Sequence, residues 1–362
     1  VPHQPRPGAP RADETRVMPT APRRESPRPS GPAAPPPRTQ RSGSSFSPRV
    51  GWIKWLLVLW LVFLVAVPLW AWTRVSEVDA SPADQGRPDD QPGTTYLLVG
   101  SDSRGDLSAE ERKELGTGNA GGQRTDTIML LHVGDGPNLL MSVPRDSIVS
   151  IPGVGDGQKV NAAYAYGGPK LLTRTLENET GIRIDHYVEI GFGGFVGMVD
   201  AVGGVEICPT TAMKDPQANL DVDKGCQEAD GVTALGYARS RKTSGLGDID
   251  RAKHQREVVS AIGAEALSPW TFINPVRYYR LAMASAESFK VSEETGPFAL
   301  GRFAFAMTRV NGKDGLTCGV PIADLAVNWD EERSNRLFRH VREDDTDGIP
   351  RSLCTPTGMP PQ

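Results

Sequence analysis

Eighteen consecutive residues without a charge, Trp55 to Trp72, constrain this chain more than any other stretch in it. At about 1.5 Å per helical residue they suit one crossing of a bilayer core roughly 30 Å thick. Tryptophans at both ends suit the two membrane interfaces. A buried core helix or a cleaved signal peptide is also apolar, but the run is long for either and carries no small-residue cleavage site. What lies before it and what lies after it must therefore fold apart, in different compartments. Residues 1–51 hold nine arginines against Asp13, Glu14 and Glu25. Acids follow the run at Glu77, Asp79, Asp84, Asp89 and Asp90. The positive-inside rule then gives a single-pass protein of the cell membrane, with a cytoplasmic N-terminus and residues 73–362 outside. The proline- and arginine-dense segment 1–51 cannot bury a core and reads as a disordered tail.

The four cysteines, Cys208, Cys226, Cys318 and Cys354, all lie beyond the apolar run. None forms a CxxC pair, which argues against a zinc site, and an exported domain permits disulfides. Proximity alone favours Cys208 with Cys226 and Cys318 with Cys354 among the three pairings; free, buried thiols are the alternative. The net charge of −4 supplies no basic field for nucleic acid, and residues 1–51 offer no foldable DNA-binding element.

Residues 52–72 thus read as a transmembrane helix and 73–93, rich in Asp, Pro, Gly and Gln, as a linker. Folded sequence runs over 94–342, and a polar, Pro-rich tail, 343–362, is held by Cys354. Short apolar strands are expected at Tyr96 to Gly100, Thr127 to Val133, Leu139 to Val143, Tyr187 to Ile190 and Val205 to Cys208. Helices are expected at Pro169 to Thr180, Phe195 to Val202 and Asp250 to Leu267. Strands alternating with helices argue for a sheet covered by helices, in the α/β (α+β) class.

The charged residues fall at the ends of these strands. Asp102 and Arg104 follow the first strand, Arg124 and Asp126 precede the second, and Arg145 and Asp146 follow the third. If the second and third strands form a hairpin and the first runs opposite to the second, all six share one edge of the sheet. Lys159 and the stretch Tyr237 to Gln255, with Arg239, Arg241, Asp248, Arg251 and Gln255, add to that rim. Arg251 and Gln255 are four apart and share a helix face, which continues into Val258, Val259 and Ile262. A helix start lined with arginine is a place for phosphate. Any one Arg–Asp pair is an ordinary ion pair, but the coincidence of several at strand ends is not. Carboxylates that hold a hard divalent cation, and arginines that clamp non-bridging oxygens, are what diphosphate chemistry requires. Other chemistries fare worse. His132 lies inside a strand, where it packs or hydrogen-bonds; there is no Gly-x-Ser-x-Gly elbow, and Gly191-Phe-Gly-Gly194 lacks dinucleotide-site spacing and opens a helix instead.

In this order the motifs resemble the LytR–CpsA–Psr family of bacterial envelope proteins. The matching stretches are Leu97 to Arg104, Arg124 to Met129, Ser142 to Asp146, Lys159 to Tyr164, Val199 to Val205 and Ala234 to Gln255. The resemblance implies a central mixed β-sheet with helices on both faces, preceded by one transmembrane helix. It implies a phosphotransferase that moves a glycopolymer from a polyprenyl pyrophosphate carrier to peptidoglycan and releases polyprenyl phosphate. It further implies Asp102 and Asp126 as ligands of Mg²⁺, or Mn²⁺ in its place. Arg124, Arg145, Arg239, Arg241, Arg251 and Gln255 would bind the diphosphate, with Lys159 nearby. The catalytic set would be Asp102, Arg104, Arg124, Arg145, Arg239, Arg241 and Asp248. His254 departs from the family, which often has arginine there. For the lipid tail, either Phe192, Phe195, Val196 and Met198 or Phe298, Phe303 and Phe305 could line a slot. The alternatives are a polyprenyl pyrophosphatase and a non-catalytic, membrane-anchored lipid- or polymer-binding regulator. Teichoic acid, arabinogalactan and capsular polysaccharide all remain open as the polymer.

Overall fold

The computed structural model of the chain describes residues 49–102, 110, 115, 125–240, 248–310, 315–324 and 326–360. The chain divides into two compact units, residues 1–52 and 53–362. Within the first unit the described residues are the opening turn of helix α1 (Arg49–Trp72), and the rest of the N-terminal segment lies outside them. The apolar part of α1, Trp52–Trp72, is long and apolar enough to cross a membrane. Its C-terminal half is not wholly exposed, since Val67 and Ala71 are buried within the second unit.

Seven strands form one mixed sheet: β1 (Ser76–Val78), β2 (Thr94–Ser101), β3 (Thr125–Val133), β4 (Asn138–Val143), β7 (His186–Gly191), β12 (Phe289–Ser292) and β13 (Gly315–Gly319). Their order is β1-β12-β7-β2-β3-β4-β13. The three N-terminal strands of the domain pair antiparallel as expected, β2 with β3 and β3 with β4. The β2–β7, β1–β12 and β4–β13 pairs are parallel.

Alternation decides the two faces. Leu97, Val99, Ile128 and Leu130 join one core with helices α2 (Val160–Thr180) and α9 (Glu331–Arg342). Tyr96, Leu98, Met129 and Leu131 face the other way, against α8 (Pro297–Met307). A third core gathers α3 (Phe192–Ala201), α4 (Gly231–Arg239) and α5 (Asp248–Ala266) over the short strand pairs β8–β11 (Val205–Ile207, Gln227–Ala229) and β9–β10 (Met213–Asp215, Leu220–Val222). The small β5–β6 hairpin (Ile148–Ile151, Gly155–Lys159) completes the strands, and α6 (Pro269–Ile273) and α7 (Pro275–Ser288) precede β12.

The register places the site. Ser76 pairs with Lys290, Phe289 with Ile190, Gly100 with Ile190 and Ser101 with Thr125. The start of β1, the ends of β2 and β7 and the start of β3 therefore share one edge. Only Thr73, Arg74 and Val75 separate α1 from β1. The strand-end rim thus lies where α1 meets the sheet.

Several expectations change. Residues 73–93 are not a bare linker: β1 joins the sheet, Ala80 is buried, and Arg87 grips the buried Glu177 of α2 with Nη2–Oε1 at 2.7 Å. Their Asp, Pro and Gly content reflects turns laid against the domain. The tail 343–362 is tied by more than Cys354, since Ile349 and Leu353 enter the main core and Asp344 bonds His132 Nε2 at 3.0 Å. Helix α2 begins at Val160 and not at Pro169, interrupted by non-helical Gly167 and Gly168 (φ +65°). Two disulfides link Cys208 to Cys226 and Cys318 to Cys354.

Candidate functional site

A cavity of about 260 Å³ opens at this edge. One wall is backbone and side chain from the ends of β2, β3 and β7: Gly100, Ser101, Asp126, Thr127 and Ile190. Helix α3 starts directly after β7, with Gly191 as its N-cap, and so swings Phe192 and Phe195 over the opening. Helix α4, begun by Asp230, whose carboxylate accepts the Thr233 N–H at 2.8 Å, delivers Leu235 and its last residue, Arg239. Helix α5 contributes Gln255 and Val259, while Val258 and Ile262 of the same helix are buried in the core.

Arg239 sits with its guanidinium carbon 5.0 Å from the Phe192 ring centroid and donates to the Leu115 carbonyl at 2.8 Å. Stacking on an aromatic face and a carbonyl bond hold the fork in place while its edge faces the cavity. At the mouth, Arg145 Nη1 donates to Asp126 Oδ1 at 2.5 Å. Its Nε lies 3.4 Å from Asp146 Oδ2, and Lys159 Nζ bonds Asp146 Oδ1 at 2.8 Å. The order Lys159–Asp146–Arg145–Asp126 is a relay of alternating charges along the rim. Asp102 directly follows Ser101, which pairs with Thr125, so Asp102 and Asp126 end the same strand pair.

The structure therefore gathers Asp126, Arg239 and Gln255 in one cavity, with Arg145, Lys159 and Asp102 at the same rim. Asp248 and Arg251 stand in the first turn of α5. Arg104, Arg124 and Arg241 lie outside the described residues. Of the two apolar sets, Phe192 and Phe195 line the cavity, Met198 and Phe303 are buried in core clusters, and Phe298 and Phe305 are exposed elsewhere.

Reading the sequence did not single out Asp215, Gln217, Ser101 or Thr127, all of which line the cavity. Asp215 is buried and accepts the Gln217 N–H at 3.1 Å, with Ser240 Oγ at 3.4 Å. Beneath the floor, buried Glu189 accepts from Tyr187 Oη at 2.6 Å and Tyr164 Oη at 2.9 Å. Burial first, and the Glu189 charge second, hold both phenols protonated well above the ordinary tyrosine range. These tyrosines are donors to the carboxylate, not bases.

Asp126 lines the cavity with Ser101 and Thr127, and Asp102 is next in the chain to Ser101; these oxygen donors are of the kind a hard cation such as Mg²⁺ takes, and not zinc. The one group of three close metal-type side chains among the described residues is Glu206, Cys208 and Cys226, whose sulfurs are joined in a disulfide.

The LytR_cpsA_psr family matches residues 73–290. The chain is 48% identical over 315 residues to the probable cell wall biosynthesis protein LcpB of Corynebacterium glutamicum, a match over 84% of this chain and 74% of that one. It is 36% identical over 170 residues to the polyisoprenyl-teichoic acid–peptidoglycan teichoic acid transferase TagU of Halalkalibacterium halodurans, over 46% of this chain and about half (51%) of that relative's length. Among solved structures, a LytR-Csp2A-Psr enzyme from Actinomyces oris superposes with a TM-score of 0.59 at 21% identity, over 74% of this chain and 96% of that one, and shows the shared fold.

Proposed function

Because the chain belongs to the LytR–CpsA–Psr family, we propose that it transfers a glycopolymer from a polyprenyl pyrophosphate carrier to peptidoglycan. One observation carries this reading: a single cavity joins an apolar wall of Phe192, Phe195 and Leu235 to Arg239, Gln255 and Asp126, at the sheet edge that α1 reaches. An apolar wall takes a prenyl tail and a guanidinium takes diphosphate oxygens. A ligand with both ends is a lipid-linked diphosphate. The names of the transferase relatives and the candidate membrane helix Trp52–Trp72 support the same reading. The two disulfides fit an extracytoplasmic domain, with the arginine-rich N-terminal segment inside.

In the transfer, an acceptor hydroxyl oxygen bonds the phosphorus that carries the glycan. The bond from that phosphorus to the bridging oxygen breaks, and polyprenyl phosphate leaves. The hydroxyl proton passes to a rim carboxylate. Arg145 and Arg239 take up the charge on the non-bridging oxygens, and Lys159 and Asp146 keep Arg145 aimed at the rim. Asp102 and Asp126 would hold Mg²⁺, which when bound offsets diphosphate charge.

The test is turnover of labelled polyprenyl pyrophosphate glycan by the full chain, with peptidoglycan supplied. Arg239→Ala and Arg145→Ala should each lower kcat about 10²–10³-fold, or about 3–4 kcal/mol of transition-state stabilisation. Turnover equal to wild type in both variants would remove the arginine clamp from the mechanism. Polyprenyl phosphate released with no product on peptidoglycan would make the protein a pyrophosphatase.

A further inference from the structure

We infer that the corner between α6 and α7 is sunk into the outer leaflet of the membrane that α1 crosses, so that the domain rests within the acyl layer and not above it. This rests on the membrane reading of α1 and goes beyond it.

Helix α7 runs beside the outer half of α1. Tyr278 Oη donates to the Leu64 carbonyl at 2.6 Å, and the Tyr278 ring lies 5.9 Å from Phe63. Further out, Tyr279 stacks on Trp70 at 5.9 Å, and Arg74 Nη1 lies 3.9 Å from Glu287 Oε1. The contacts run in the same sense along α1 with the turn after it, from 64 to 74, and along α7, from 278 to 287, so the two helices run parallel and the Tyr278 hydroxyl stands at the level of Leu64. Leu64 lies eight residues inside Trp72, about 12 Å at 1.5 Å per residue. The span cannot end at Leu64 instead. Trp52 to Leu64 is thirteen residues, about 20 Å, against a hydrocarbon core of about 30 Å. If Trp72 marks the outer interface, the Tyr278 hydroxyl lies about 12 Å beneath it, and the α6–α7 corner, on the N-terminal side of Tyr278, lies no shallower.

What the corner shows at that level is apolar. Ile273 is 63% exposed, Trp270 57% and Val276 57%, and Phe272 is exposed beside them. Such a patch on a water-facing surface is unusual. The charges conform. Arg277 is paired with Glu265 at 2.8 Å. Exposed Arg280, two residues further along α7, reaches the polar layer only by extending its stem outward. The Arg74–Glu287 pair falls at the headgroup level. The sunken helix also braces the site: Ser288 Oγ bonds the Gly194 carbonyl at 2.9 Å, and α3 carries Phe192 and Phe195.

The experiment places a single environment-sensitive dye on the full chain in phosphatidylcholine vesicles, at Ile273→Cys, Leu61→Cys or Asp135→Cys, the four native cysteines being held in disulfides. Leu61 reports the span, and Asp135 the turn at the opposite end of the sheet. Quenching by a mid-chain nitroxide lipid is compared with quenching by aqueous iodide. The Ile273 and Leu61 dyes should be quenched several-fold more by the lipid nitroxide, and the Asp135 dye by iodide. An Ile273 dye that behaves like Asp135, while Leu61 stays lipid-quenched, overturns the sunken corner and leaves the span intact. A Leu61 dye open to iodide overturns the span and the corner with it. An Ile273 dye shielded from both quenchers overturns the inference in favour of a second copy of the chain covering the corner.

Discussion

Arg256 follows Gln255 in the sequence but turns the other way, into the protein. It is 5% exposed, and its hydrogen-bond acceptors among the described residues are neutral, Ser142 Oγ at 3.0 Å and the Pro356 carbonyl at 3.1 Å, with the Glu257 charge acting on it. Burial lowers the pKa of its guanidinium. One side chain thus pins α5 to β4 and to the C-terminal segment while its neighbour lines the cavity. Arg256→Ala should lower unfolding free energy by about 2–4 kcal/mol, through the cavity it leaves and two unmet acceptors. Arg256→Met, which refills the space, should cost less; chemical denaturation compares them. A second residue sets acid sensitivity. Burial lowers the His186 pKa below its ordinary 6.5, with Asp185 and Glu294 opposing. The fold therefore favours neutral imidazole, the unfolded chain binds more protons below about pH 6.5, and stability falls as pH drops from there towards the folded pKa. His186→Gln should flatten that part of the stability–pH curve. The site residues legible in the sequence are those at element ends. Asp126 opens a strand, Arg145 follows one and Arg239 closes a helix, so the hairpin rule alone brings the first two together. Asp215 is not legible because nothing near it in the sequence marks it, and a partner in the structure, Ser240, lies twenty-five residues away.

Among elements, the long strands and helices are visible from period and length, and the short ones are not. Three-residue strands such as β9, β10 and β11 carry too little alternation to register, and they exist because each finds a partner; β8, inside the expected strand Val205 to Cys208, is the exception. β1 is hidden for the same reason. The first turns of α2 are masked by Gly167-Gly168-Pro169, which read as a stop and are here a break between two helical pieces. Helix α3 shows what packing adds. A methyl on Gly194 would meet the Ser288 backbone at 2.8 Å, while one on Gly197 meets nothing within 4 Å. Gly194→Ala should therefore push α3 off α7, cost about 1–3 kcal/mol and loosen the aromatic wall. Gly197→Ala should be neutral or stabilising by up to about 1 kcal/mol. Thermal unfolding of the two variants, on one helix and differing by one methyl each, decides it.

At the scale of the molecule, the C-terminal residues close the fold. Cys354 is joined to Cys318 on β13, Leu353 enters the main core, and Pro356 receives Arg256. The bridge closes a loop of 36 residues in separation, so Cys354→Ser should lower stability by about 3–4 kcal/mol in chemical denaturation. At the other end, the tether from α1 to β1 is Thr73, Arg74 and Val75. Fully stretched it spans about 10 Å. With α1 in the bilayer, as proposed above, so short a leash keeps the cavity beside the lipid surface, and any acceptor strand has to reach it there.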